Sequence, residues 1–169
     1  MPNFIKSYVR WIDKINQVVG RFAMYMVFAM IGILLYATLS RGLFNMPVNW
    51  AVEMAQFTMA AYYLLGGGYS LQNKAHVRMD VFYERWSDVT KAKVDVCTSV
   101  FLIFYMLVLL YGGYSSTEYA VVYGEYKNSS WRPPMAPIKI IMTTGLFLMF
   151  LQVTATFFKD LAKARGEEL

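Results

Sequence analysis

One cysteine, one histidine and five prolines are found in this chain of 169 residues, and only 16% of it is charged. Each scarcity closes a door. A lone Cys97 cannot form an internal disulfide, and with His76 it makes no zinc-binding set. One histidine also cannot supply two axial ligands to a buried haem. No Ser, Cys or Thr stands out as a nucleophile with a base beside it, which speaks against an enzyme. Gly66, Gly67 and Gly68 are neither preceded by a strand pattern nor followed by Gly-Lys-Ser/Thr, so a phosphate loop is a poor reading of them. No cofactor is expected in the chain. Charge is thin for a soluble domain, which carries about 25% Asp, Glu, Lys and Arg.

Long apolar blocks fill the space that charge leaves. The composition is 57% hydrophobic, and the spacing predicts an all-α integral membrane protein formed as one domain over 1–169. Four runs are long enough to cross a bilayer as helices, at about 22–40, 52–71, 94–114 and 138–158. Two amphipathic segments predict helices lying on the cytoplasmic membrane surface. The first is 3–19, where Phe4, Ile5, Tyr8, Trp11, Ile12, Ile15, Val18 and Val19 recur at helical spacing opposite Lys6, Arg10, Asp13, Lys14 and Gln17. The second is 77–93, with Met79, Phe82, Tyr83, Trp86 and Val89 as its stripe. Trp11 and Trp86 serve as interfacial anchors. A signal peptide is a worse account of the start, because the following apolar run is too long for an h-region. Between the third and fourth runs lies a loop, YSSTEYAVVYGEYKNSSWRPPMAP, in which Pro133, Pro134 and Pro137 are expected to break helix.

Basic residues set the orientation. Lys6, Arg10, Lys14 and Arg21 precede the first run, Lys74, Arg78, Arg85, Lys91 and Lys93 separate the second from the third, and Lys159, Lys163 and Arg165 follow the fourth. Arg41, Lys127, Arg132 and Lys139 are left for the other side. The positive-inside rule then places both termini in the cytoplasm. The net charge of +5 flanks apolar runs, so anionic lipid of the bilayer, not nucleic acid, is the expected partner.

Glu53 is the sharpest single residue. A charge at the centre of a spanning helix costs about 2.5–3.5 kcal/mol on insertion scales, so intramembrane acids are functional candidates. Glu53 lies only three residues after Trp50, however, and there it could reach water or pair with Arg41. Three readings stay open: a packing or partner-docking acid, a proton or ion carrier, and an interfacial residue. Gln56, Ala60, Leu64 and Gly67 continue its stripe, and small residues there permit close approach of another helix. His76, Arg78 and Asp80 alternate in the polar segment that follows, where a pH switch and a solvated loop are both open readings.

The pattern Arg41-x-x-Phe44-Asn45-x-Pro47-x-x-Trp50-x-x-Glu53, an apolar helix, a glycine-rich exit and then His76-Val77-Arg78-Met79-Asp80-Val81 resembles the small membrane subunit of TRAP transporters, the tripartite ATP-independent periplasmic transporters of bacteria and archaea. The resemblance covers nearly the whole chain. It implies a small permease subunit in the bacterial inner membrane. Such a subunit braces a large multi-spanning subunit, which holds the sodium and substrate sites and imports organic acids delivered by a periplasmic binding protein. Arg41, Trp50, Glu53, Gln56, Ala60, Gly67, His76, Arg78 and Asp80 then become candidates for the interface with the large subunit. Glu125, Lys127, Trp131 and Arg132 become candidates for docking the binding protein. Two alternatives remain, a self-sufficient proton-coupled carrier built on Glu53 and the membrane anchor of a respiratory enzyme.

Overall fold

Four helices are found among the described residues. The computed structural model describes residues 3–73 and 88–164. Among these, α1 spans Asn3–Phe44, α2 Asn49–Gln72, α3 Asp88–Val122 and α4 Ala136–Ala164. Successive helices run antiparallel. Helix α4 packs along α3 and α2 and touches α1, while α1 packs along α2. The start of α1 and the end of α4 therefore meet at one end of the bundle, joined by Asp13 and Lys159.

Three of the four described helices, Phe4–Phe44, Val94–Val122 and Ala136–Lys163, are long enough and hold a stretch apolar enough to cross a membrane. The sequence expectation was four. Helix α2 has the length but not the hydropathy, because Glu53, Gln56, Ser70 and Gln72 share it with three tyrosines and three glycines.

The amphipathic segment 3–19 is not a separate helix. It continues into the first apolar run as a single rod of 42 residues, about 63 Å at 1.5 Å per residue. No glycine–proline pair or cap residue interrupts it, and its apolar stripe packs on α4. Val9 and Ile12 are buried with Ala155, and Ile5, Tyr8, Leu151 and Phe158 surround them. The second amphipathic segment, 77–93, falls largely outside the described residues, and its last part, from Asp88, already belongs to α3.

Helix α3 also outruns its expected end at 114, reaching Val122. Gly124 stops it. Its φ of 59° is left-handed, and Glu125 N–H returns to Ala120 O at 3.1 Å, the 6→1 bond of a Schellman cap. Pro137, expected to break helix, instead sits in the first turn of α4, where a proline loses no intrahelical bond. Pro134 forms an isolated bridge with Tyr126. The α1–α2 corner turns on Asn45, with φ of 51°. There Met46 N–H reaches Ser40 O at 3.3 Å and Ser40 Oγ reaches back to Met46 O at 3.2 Å.

The interior is narrow and made of small side chains. Among the described residues, seven of the buried apolar side chains are alanines, from Ala23 in α1 to Ala162 in α4. The helix contacts also carry glycines. A Cβ on Gly145 of α4 would come within 2.9 Å of the Leu64 backbone in α2, and one on Gly20 of α1 would collide with Tyr69. With lipid no less apolar than leucine, packing in a membrane comes from such close approach and from polar contacts.

Candidate functional site

Two polar constellations close the two ends of this bundle. At the end carrying the chain termini, Asn16 and Gln152 are both 0% exposed. Asn16 Nδ2 donates to Gln152 Oε1 at 2.8 Å and to Ile12 O at 3.2 Å. Gln152 Nε2 donates onward to Asp13 Oδ1 at 3.0 Å. Lys159 Nζ grips both Asp13 oxygens at 2.9 and 2.6 Å. One turn earlier, Tyr8 Oη and Thr154 Oγ1 share a hydrogen bond of 2.8 Å. Asn16 Oδ1 has no hydrogen-bond partner. It lies instead against Gly68 of α2, where a Cβ would collide with it.

At the opposite end the α3–α4 connection folds into a compact cap. Lys127 N–H bonds Pro133 O at 3.0 Å, and Met135 N–H bonds Glu125 O at 2.8 Å. Lys139 Nζ pairs with Glu125 Oε2. Below them Thr117 Oγ1 and Thr143 Oγ1 are 2.7 Å apart, binding α3 to α4. Lys127 Nζ crosses to α2, donating to Gln56 Oε1 at 2.7 Å and lying 5.6 Å above the Phe57 ring.

The expected interface residues are thus spread over several environments. Glu53 is 8% exposed, and its Oε2 has no partner; the pairing with Arg41 is not formed. Arg41 is exposed and lines a shallow groove with Thr38, Gly42, Val48 and Val52. Trp50 stacks on Tyr36 of α1 with centroids 6.2 Å apart. Gln56 is taken by Lys127, Ala60 is half-buried, and Gly67 lies under Met149, whose Sδ would be 2.6 Å from a Cβ there. His76, Arg78, Asp80 and Trp86 lie outside the described residues. Of the docking candidates, Glu125 and Lys127 are engaged within the cap, while Trp131 and Arg132 are exposed, the latter with φ of 50°. Trp11 is 63% exposed. Among the described residues no three His, Cys, Asp or Glu side chains gather to hold a metal ion.

Sequence reasoning missed Asn16, Gln152 and Thr143. For Gln152 and Thr143 the signal available was a polar residue inside the fourth apolar run, which membrane burial makes informative; Asn16, in the amphipathic segment before the first run, carried no such signal. Large exposed apolar side chains cover the outside of α1 and α3, among them Phe22, Phe28, Leu35, Phe101, Phe104 and Tyr111. Large apolar side chains on the outside, around an interior of small residues with a few buried polar groups, depart from the soluble pattern, and the chain is a membrane protein. Residues 30–163 match the family model of the DctQ component of tripartite ATP-independent periplasmic transporters. The chain belongs to this family. The DctQ match covers α2, α3 and nearly all of α4, and begins inside α1, beyond the Asn16 lock. No curated protein matches the chain in sequence.

Proposed function

We propose that this DctQ chain is the small permease subunit of a sodium-driven secondary transporter for organic acids, acting as membrane scaffold for the large transport subunit. The family match over 30–163 is the observation that carries the reading. The physical character of the bundle supports it: its polar groups are spent on holding its own helices, and its broad apolar outer faces are left for lipid and partner. Sodium and substrate sites belong to the large subunit, and this chain carries no cofactor and no catalysis.

Helix α2 is the fourth span in this reading. Its 24 residues give about 36 Å, more than the ~30 Å hydrocarbon core, and α1 and α4 flank it. Both termini face the cytoplasm of the bacterial inner membrane, as the basic residues direct. The cap then faces the periplasm and offers exposed Trp131 and Arg132 to the binding protein, with Glu125 and Lys127 holding its shape. Exposed Arg41 and Trp50 offer the large subunit a contact at the same end.

Tagged protein drawn from its native membrane in mild detergent should bring down a large hydrophobic partner, and sodium-driven uptake should require both chains. Recovery of the chain alone as a dimer that transports by itself would defeat the scaffold reading. A second reading, a proton-coupled carrier, is favoured by one observation, the unpaired buried Oε2 of Glu53. Glu53→Gln separates the two: the scaffold keeps its uptake, whereas a carrier loses it.

A further inference from the structure

An open groove of about 460 Å³ runs where α2 lies between α1 and α4. Helix α2 forms the floor with Gly66, Gly67 and Ser70, Met24 of α1 stands on one side, and Met149 of α4 stands on the other. The glycines of the floor are not equivalent. Gly67 makes room for Met149 and neighbouring Gly68 for Asn16, so packing inside the chain explains both. Gly66 is unexplained by that packing. A Cβ there would meet only Ala23 at 3.9 Å, an ordinary contact. What its missing side chain leaves open is the groove.

We propose that this groove is a phospholipid site, with an acyl chain over Gly66 and the phosphate held by Arg21 at the mouth. Length favours this occupant. The α2 lining runs from Tyr62 to Asn73, about 17 Å at 1.5 Å per residue. That is close to half the ~30 Å hydrocarbon core, one leaflet's share, and too short for a partner helix crossing the whole membrane. Charge favours it too. The lining residues include no acid, and the groove opens past Ser70 and Asn73 toward the end of the bundle that carries Arg10, Lys14 and Arg21, all exposed. Arg21 follows Gly20 of the lining, and no hydrogen bond or ion pair is recorded for it among the described residues. Helical side chains tilt toward the helix N-terminus, which inclines Arg21 toward the end of the bundle where Ser70 and Asn73 lie. A guanidinium there offers a phosphate two parallel hydrogen bonds. The site requires the chain to be in a membrane and is independent of which transporter partner it serves.

Native mass spectrometry of the purified chain, supplied with dioleoylphosphatidylglycerol or dioleoylphosphatidylcholine, tests this. Wild type retains the glycerol lipid as a discrete adduct. Gly66→Leu, which fills the groove, retains about tenfold less, equivalent to about 1.4 kcal/mol. Arg21→Gln still retains lipid but loses the preference for the anionic headgroup. Circular dichroism verifies helix content, and Gly66→Ala, whose methyl meets only Ala23, provides a variant expected to fold with an intermediate loss. Equal retention by wild type and both Gly66 variants overturns the site, as does displacement of the lipid by inorganic phosphate alone. If Gly66→Leu leaves lipid retention unchanged and instead releases the large partner subunit, the groove receives a protein helix and the proposal falls.

Discussion

The two ends of the bundle are fastened by different means. At the end carrying the termini, the fastening joins residues remote in sequence: Asn16 and Gln152 are 136 positions apart, and Asp13 and Lys159 are 146 apart. At the cap, Glu125 and Lys139 are 14 apart, and the chain between them is already folded by its own backbone bonds. Closing a long loop costs more entropy than closing a short one, though only slowly with length. The remote lock compensates by burial. Its amides are sealed from water, whereas Glu125 keeps 35% of its side-chain surface. One end depends on side chains to bring distant helices together, and the other is held mainly by backbone bonds and an ion pair within one short connection.

That contrast can be broken at measurable points. Gly68→Val strikes hardest, because the added Cβ drives into Asn16 Oδ1, and Asn16 is held by Ile12 O and Gln152 and cannot swing aside. A loss of about 2–3 kcal/mol is expected from overpacking, read as a lowered midpoint of thermal unfolding in detergent. Gly67→Ala at the next position should lose far less, since the Met149 thioether can yield. Gln152→Leu comes next. It removes two interhelical hydrogen bonds and leaves the buried Asn16 amide with only Ile12 O to donate to, for about 1–2 kcal/mol in the same assay. Glu125→Gln should cost least, about 0.5 kcal/mol or less, because the backbone bonds of the cap persist without the half-exposed ion pair. If Glu125→Gln proved more damaging than Gln152→Leu, the ranking of the two ends would have to be reversed.

Much of this architecture was legible in the chain. Runs such as Phe22–Ser40 and Val94–Tyr114 announce helices, and Trp50 with Glu53 marks the start of α2. What was not legible depends on helix order. Asn16 is a polar residue at a helical position, but nothing in its neighbourhood names Gln152 as its partner until α4 is known to lie beside α1. The end of α3 was misplaced because Ser115, Ser116 and Thr117 open the polar stretch assigned to the loop; in the structure Thr117 is satisfied by Gly113 O and Thr143. Gly124 was the better stop signal, a glycine just after an uninterrupted helical stretch. The pairing of Arg41 with Glu53 failed for a similar reason. Arg41 lies in the last turn of α1, and its side chain stays on the exposed groove while Glu53 turns inward.

The remote lock also sets an order of events during synthesis. Asn16 and Asp13 emerge early, but Gln152 and Lys159 follow at least 136 residues later, roughly 7–27 s at about 5–20 residues per second. Through that interval the first helix waits in the bilayer with its polar face uncovered. The last helix to enter is the keystone, and a ribosome that stalls before α4 releases a chain in which α1 still lies beside α2 but Asp13 and Asn16 have lost Lys159 and Gln152.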